Sequence, residues 1–145
     1  MKRNSIIITD AILNLAIGVY PEIKDSRIEI RIDENNAEDI LSFLLKKNKN
    51  DKYLYLKKFA RILREVICGN YNEDFYDHEP PKGKHVTAMK FKGKENIRIV
   101  CKEIFCENKK VIMVTYFHKK SSKGSNISKK DLAIYEAVGG YEYDC

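Results

Sequence analysis

Three β-patterned runs crowd the second half of the chain, at residues 86–92, 96–105 and 110–119. The gaps between them, around Gly93 and across residues 107–109, have room only for hairpin turns, so the runs pair as an antiparallel meander. Residues 111–117 are apolar on both faces, which places the third run at the centre of a sheet. Little else in the chain restricts the fold as strongly.

Upstream of this meander the pattern gives a strand and two helices. Residues 27–33 alternate, with Ile28, Ile30 and Ile32 on one face and Arg27, Glu29, Arg31 and Asp33 on the other, as expected of a strand with one wet face. Asn36 is a plausible N-cap for a helix over 37–47, with Ile40, Leu41, Leu44 and Leu45 on one stripe. A second helix over 51–68 buries Tyr55 or Leu56, Phe59, Ile62 or Leu63, and Val66, and Gly69 stands where a left-handed residue ends a helix. The two helices form a hairpin. Residues 5–9 read as a short strand, and 11–20 are an ambiguous run that Pro21 terminates. Residues 70–83 form a turn-rich segment with Pro80-Pro81 and four acids. After a Lys/Ser/Gly loop at 121–126, Ser128 caps a final helix over 129–138 that Gly139-Gly140 ends.

At 145 residues the chain fits one domain with a small addition. The expected fold is α+β, with a helical hairpin and a C-terminal helix packed on a small antiparallel sheet over 27–145. Residues 1–26 are an N-terminal extension that contains the short strand. No apolar stretch approaches the roughly 18 residues that read as a membrane-spanning helix. Lys2, Arg3 and Ile6-Ile7-Ile8 imitate a signal peptide, but Asp10 and Asn14 interrupt it, so a cytoplasmic protein is expected. Cys68, Cys101, Cys106 and Cys145 have no zinc-knuckle spacing and read as a mostly reduced, non-ligating set.

Charge is distributed unevenly. Residues 84–130 hold thirteen Lys/Arg against Glu95, Glu103 and Glu107, a net +10, whereas residues 1–83 balance and the last fifteen carry −4. Such a block attracts polyanions, and it supplies the RNA-binding candidates Lys84, Lys94, Lys102, Lys119 and Lys123. The acidic tail either folds back over the patch or is an ordinary solvated end. Strand parity puts Lys90 and Lys92 on one face and Arg98, Val100 and Lys102 on one face of the next strand. In the simplest register Lys90, Lys92 and Arg98 share a surface, and Lys119 and Lys120 arrive where the third strand ends. Five cations without nearby carboxylates repel one another, which depresses lysine pKa values and leaves a demand for anions.

These residues resemble the RelE/HigB superfamily of toxin–antitoxin ribonucleases. Lys90-Phe91-Lys92 is similar to the family's Lys-x-Lys pair, Asn96 to Val100 to its arginine strand, and Val114 to Ser121 to its basic strand end. Phe117 to Lys123 looks like the phage-derived, HigB-like branch, and the helix at 127–137 suits that branch. The resemblance covers about residues 27–138. It implies mRNA cleavage at the ribosome with no metal or other cofactor, by attack of the ribose 2′-hydroxyl on the adjacent phosphorus. It also implies a cognate antitoxin as partner. By that resemblance Arg98 holds the phosphate with its planar fork. Lys90 and Lys92 stabilise the pentacoordinate state, and one of them is a candidate base. Lys120 neutralises the leaving side, and His118 is a candidate general acid. The chain departs from the family in two places. The tyrosine expected soon after the basic pair falls at Asn126, leaving Tyr116 and Tyr135 nearest. Where the HigB branch uses histidines and an acid near the C-terminus, there is only His118, with His85 just before the first meander strand.

Plainer readings compete. Arg98 can pair with Glu103 or a helix acid, Lys90 and Lys92 can be a solvated strand face, and Tyr71, Tyr76, Tyr141 and Tyr143 can be core and rim rather than base-stacking platforms. As whole-protein alternatives stand a non-catalytic RNA- or DNA-binding module of the same fold, and a protein-interaction domain with a Lys-rich face.

Overall fold

The computed structural model describes residues 2–7, 28–47, 53–70, 72–91, 96–119 and 128–144. The strands are β1 (Ser5–Ile7), β2 (Glu29–Asp33), β3 (Tyr76–His78), β4 (Val86–Phe91), β5 (Ile97–Cys106) and β6 (Lys109–Lys119). The helices are α1 (Ala37–Leu44), α2 (Leu54–Ile67) and α3 (Lys129–Gly139). The expected run at 11–20, the turn at Gly93 and the loop at 121–126 lie outside the described residues.

The α+β class holds, with one correction. The six strands form a single sheet in the order β1-β2-β6-β5-β4-β3, and β2 lies parallel to β6, so the sheet is mixed rather than antiparallel. β6 is apolar on both faces, so a packed layer covers each face and its backbone pairs with a strand on each edge. β5 covers one edge, and Ile30 and Ile32 opposite Ile112 and Val114 cover the other. β1, from the extension, pairs with β2 at one sheet edge. The acid-rich segment at 70–83 contains β3, which pairs with β4 at the opposite edge.

Alternation divides the sheet into two unlike faces. The first carries Ile30, Ile32, Met89, Phe91, Ile97, Ile99, Ile112 and Val114 against Ile40, Leu44, Leu56, Phe59 and Leu63 of the helical hairpin. Burying such a carbon-lined layer stabilises by about 25 cal/mol per Å². Gly69, at φ +81°, ends α2 in the left-handed form its position called for. The second face packs Val86 and Val100 against Tyr135 and Val138 of α3, and Val111 and Met113 against Tyr143 of the tail. The tail thus folds back on the sheet. Arg3 bonds the buried carboxylate of Asp33, which also accepts the Tyr143 hydroxyl at 2.7 Å.

Two details departed from expectation. Asn36 makes no side-chain cap; its amide instead donates to the Thr115 carbonyl at 2.7 Å. Cys68 and Cys101 are free, but Cys106 is disulfide-bonded, so the set is not wholly reduced. Among the described residues, no helix is long and apolar enough to cross a membrane.

Candidate functional site

The β5–β6 hairpin turns on Glu107 and Asn108, both left-handed at φ 52° and 65°, the geometry that matches strand twist in a two-residue loop. From there the strands pair regularly up to Cys101 opposite Val114, where the register slips by one and Val100 faces Tyr116. Thr115 is the extra residue. Its hydroxyl donates to the Val100 carbonyl at 2.7 Å, and its own carbonyl takes the Asn36 amide, so neither polar group of the bulge is left bare.

The slip determines which side chains meet. Beyond it Arg98 stands opposite His118, and on its other side opposite Lys90. Lys90, Arg98 and His118 therefore form a row across β4, β5 and β6 on the α3 face. In an unslipped ladder Phe117 would oppose Arg98, and His118 would point toward the helical hairpin. Arg98 and Lys90 share a face, as strand parity anticipated.

α3 completes the constellation. Ser128 accepts from the Asp131 backbone N–H at 3.1 Å and starts the helix, leaving Asp131 in its first turn, 1% exposed. Asp131 Oδ1 lies 3.7 Å from His118 Nδ1, and the Lys119 carbonyl lies 3.3 Å from the same nitrogen. Both neighbours are acceptors, so Nδ1 carries the hydrogen and Nε2 presents its lone pair. Nε2 is buried with no hydrogen-bond partner among the described residues, on a side chain 8% exposed. Tyr135, one turn further along α3, stacks edge-on to the imidazole at 6.0 Å between centroids, and Tyr116 stands at 6.3 Å.

Burial lowers the His118 pKa from its ordinary value; Asp131 and the hydrogen bond to Lys119 pull it back up, and Arg98 and Lys130 push it down. Arg98 is 6% exposed and donates to Asn96 Oδ1 at 3.0 Å and to the Ile97 carbonyl at 3.3 Å. Its pKa is lowered by burial, against the raising influence of Tyr135, Glu79 and Asp131. The Tyr135 phenol is pushed well up, mainly by burial.

The other candidates are scattered. The Lys90 amine leans to the β3 edge, donating to the Glu73 carbonyl at 2.9 Å with Asp77 Oδ2 at 3.6 Å. The expectation of cations without nearby carboxylates thus fails at Lys90, because β3 brings Asp77 beside β4. Lys102 lies on the α3 face, but its amine is committed to the Gly139 and Tyr141 carbonyls at 2.9 and 2.7 Å, beyond the C-terminal end of α3's last turn. Its pKa is lowered, by burial first and by Lys84 second. Lys84 is exposed beside that same end of α3. Lys119 faces Ile97 and so points to the other side of the sheet, away from the row. Glu103 is not the Arg98 partner: it takes the Tyr76 hydroxyl and lies 3.4 Å from Lys110. Tyr76 and Tyr143 are buried and Tyr141 lies under the Arg3 guanidinium, so these three are core and rim, while Tyr71 lies outside the described residues. Lys92, Lys94, Lys120 and Lys123 also lie outside the described residues.

Asp131 went unremarked in the sequence, where an acid three residues after an N-cap serine signals only a capping box. Compared with protein families, curated proteins and solved structures, the chain matches none.

Proposed function

We propose that the chain is the toxin of a RelE/HigB-like toxin–antitoxin system, a cytoplasmic, ribosome-dependent endoribonuclease that cleaves mRNA without metal and is neutralised by a cognate antitoxin. What supports this reading most is the row Lys90–Arg98–His118 with Asp131 behind the imidazole. A guanidinium beside a neutral imidazole suits a phosphodiester, with the Lys90 ammonium turned toward the β3 edge. Arg98 binds two phosphoryl oxygens. The 2′-hydroxyl attacks phosphorus and gives its proton to His118 Nε2, which a shift of the side chain or its cover must first expose. The P–O5′ bond breaks, and the 5′-oxygen takes a proton from the ammonium of Lys120, the residue the family resemblance puts on the leaving side, leaving a 2′,3′-cyclic phosphate. Because burial favours neutral imidazole, His118 serves as base rather than acid in this step.

Expression of the protein alone should arrest growth, Arg98→Ala should relieve the arrest, and ribosomes with bound mRNA should yield a cyclic-phosphate end. Normal growth with abundant folded protein would refute the reading. The burial of Arg98 favours one alternative, a non-catalytic RNA-binding module of the same fold, which predicts salt-sensitive RNA binding and no cyclic phosphate.

A further inference from the structure

A second concavity lies outside the row. It is a cleft of about 270 Å³ between α2 and the segment leading into β3, with Val66 in its wall and Phe75, Arg61, Lys58, Lys90 and one carboxylate, Glu65, around it; Asn72 also lines it. That volume is below the usual range for a drug-sized molecule and suits one flat group. Phe75 is 39% exposed, so part of its side chain is surplus to the core, and the Arg61 guanidinium lies over its ring, 5.7 Å from the centroid. An exposed aromatic ring edged by cations is the arrangement on which an unstacked base rests, its flanking phosphates held by Lys or Arg.

Lys90 links the two places. Its backbone is the cross-strand partner of Arg98, while its amine bonds the Glu73 carbonyl at the cleft. We infer that the cleft, on the α2 side of the sheet, is a base-stacking subsite for another nucleotide of the RNA whose phosphodiester lies at Arg98 on the α3 side. The base lies on Phe75, Arg61 and Lys58 hold the flanking phosphates, and the Asn72 amide meets the base edge. Stacking is tolerant of base identity, so this subsite adds affinity more than sequence preference. The inference rests on the proposed RNA reading.

The test uses a fluorescein-labelled eight-nucleotide RNA with 2′-O-methyl riboses, which lacks the attacking hydroxyl and is not consumed. Wild-type protein should bind it at low salt. Phe75→Ala should weaken binding about tenfold without changing the salt slope, and Lys58→Ala should reduce the slope by about one. Phe75→Trp should restore affinity. Because the chain has no tryptophan, this variant also gives a single reporter whose emission the RNA should quench. Wild-type affinity in Phe75→Ala, or quenching by an acidic peptide but not by RNA, would overturn the subsite while leaving the nuclease reading in place. No binding by wild-type protein at low salt would overturn both.

Discussion

β5 sends one cation to each end of α3, and the two ends treat it differently. At the C-terminal end the Lys102 ammonium meets the Gly139 and Tyr141 carbonyls, where the helix macrodipole favours positive charge. At the N-terminal end the macrodipole opposes a cation, yet Arg98 is buried there, within electrostatic reach of Asp131, Tyr135 and Glu79. The first arrangement is electrostatically satisfied and needs nothing more. The second brings a guanidinium, an imidazole and a carboxylate together where folding alone gains little, as expected where charge is held for a ligand. On the proposed function, stability belongs to one end and chemistry to the other.

The strongest way to break that assignment is His118→Gln, which should cut cyclic-phosphate formation by about 10²–10⁴-fold, the usual contribution of a positioned base, while melting temperature holds. Arg98→Ala should follow at about 10²–10³-fold, as for removal of a donor to developing charge. Equal loss of rate and of folded protein in both variants would make the N-terminal end structural too. Lys102→Met should do the opposite. Cleavage by the folded protein should be kept, while stability falls by about 2 kcal/mol through loss of a charged donor, or roughly 4–8 °C in melting temperature at 2–4 °C per kcal/mol.

Acidification sharpens the contrast more gently. The folded His118 pKa lies below the unfolded value near 6.5, so between the two the unfolded chain binds more protons. The stability from neutral His118 is fully present above pH ~6.5. It is lost as pH falls from there toward the folded pKa, with a slope of at most about 1.4 kcal/mol per unit. Chemical denaturation at several pH values should show that slope in the wild type and its disappearance in His118→Gln. The smallest effect belongs to the terminal clasp. Tyr143→Phe removes one hydrogen bond to Asp33, which keeps Arg3, and should cost about 1 kcal/mol in a urea titration.

Local patterning carried much of the architecture. Alternation defined β2 and the meander, periodicity defined the hairpin helices, and Gly69 and Ser128 marked a helix end and a helix start. Pairing between distant segments was not legible. β3 is held by Tyr76 opposite Met89, within a segment whose acids and prolines read as turn. The parallel pairing of β2 with β6 leaves no local trace, since Ile30 and Ile32 would look the same beside any neighbour. Parity within single strands placed Lys90 and Arg98 on one surface, but it could not foresee that the Lys90 amine would turn to Glu73 and Asp77. Asp131 and Tyr135 follow His118 by thirteen and seventeen positions, and only the packing of α3 brings them to it.

The surplus residue Thr115 has a consequence for how this chain can vary. Because the strand's outer stretch is one step out of phase with its inner stretch, pairing Thr115 regularly at full length would exchange Phe117 and His118 between the oily and ionic sides, whereas deleting it would straighten the ladder and keep both in place. An added residue there strikes the scaffold and the active face together. Over descent this segment should tolerate losing one residue better than gaining one.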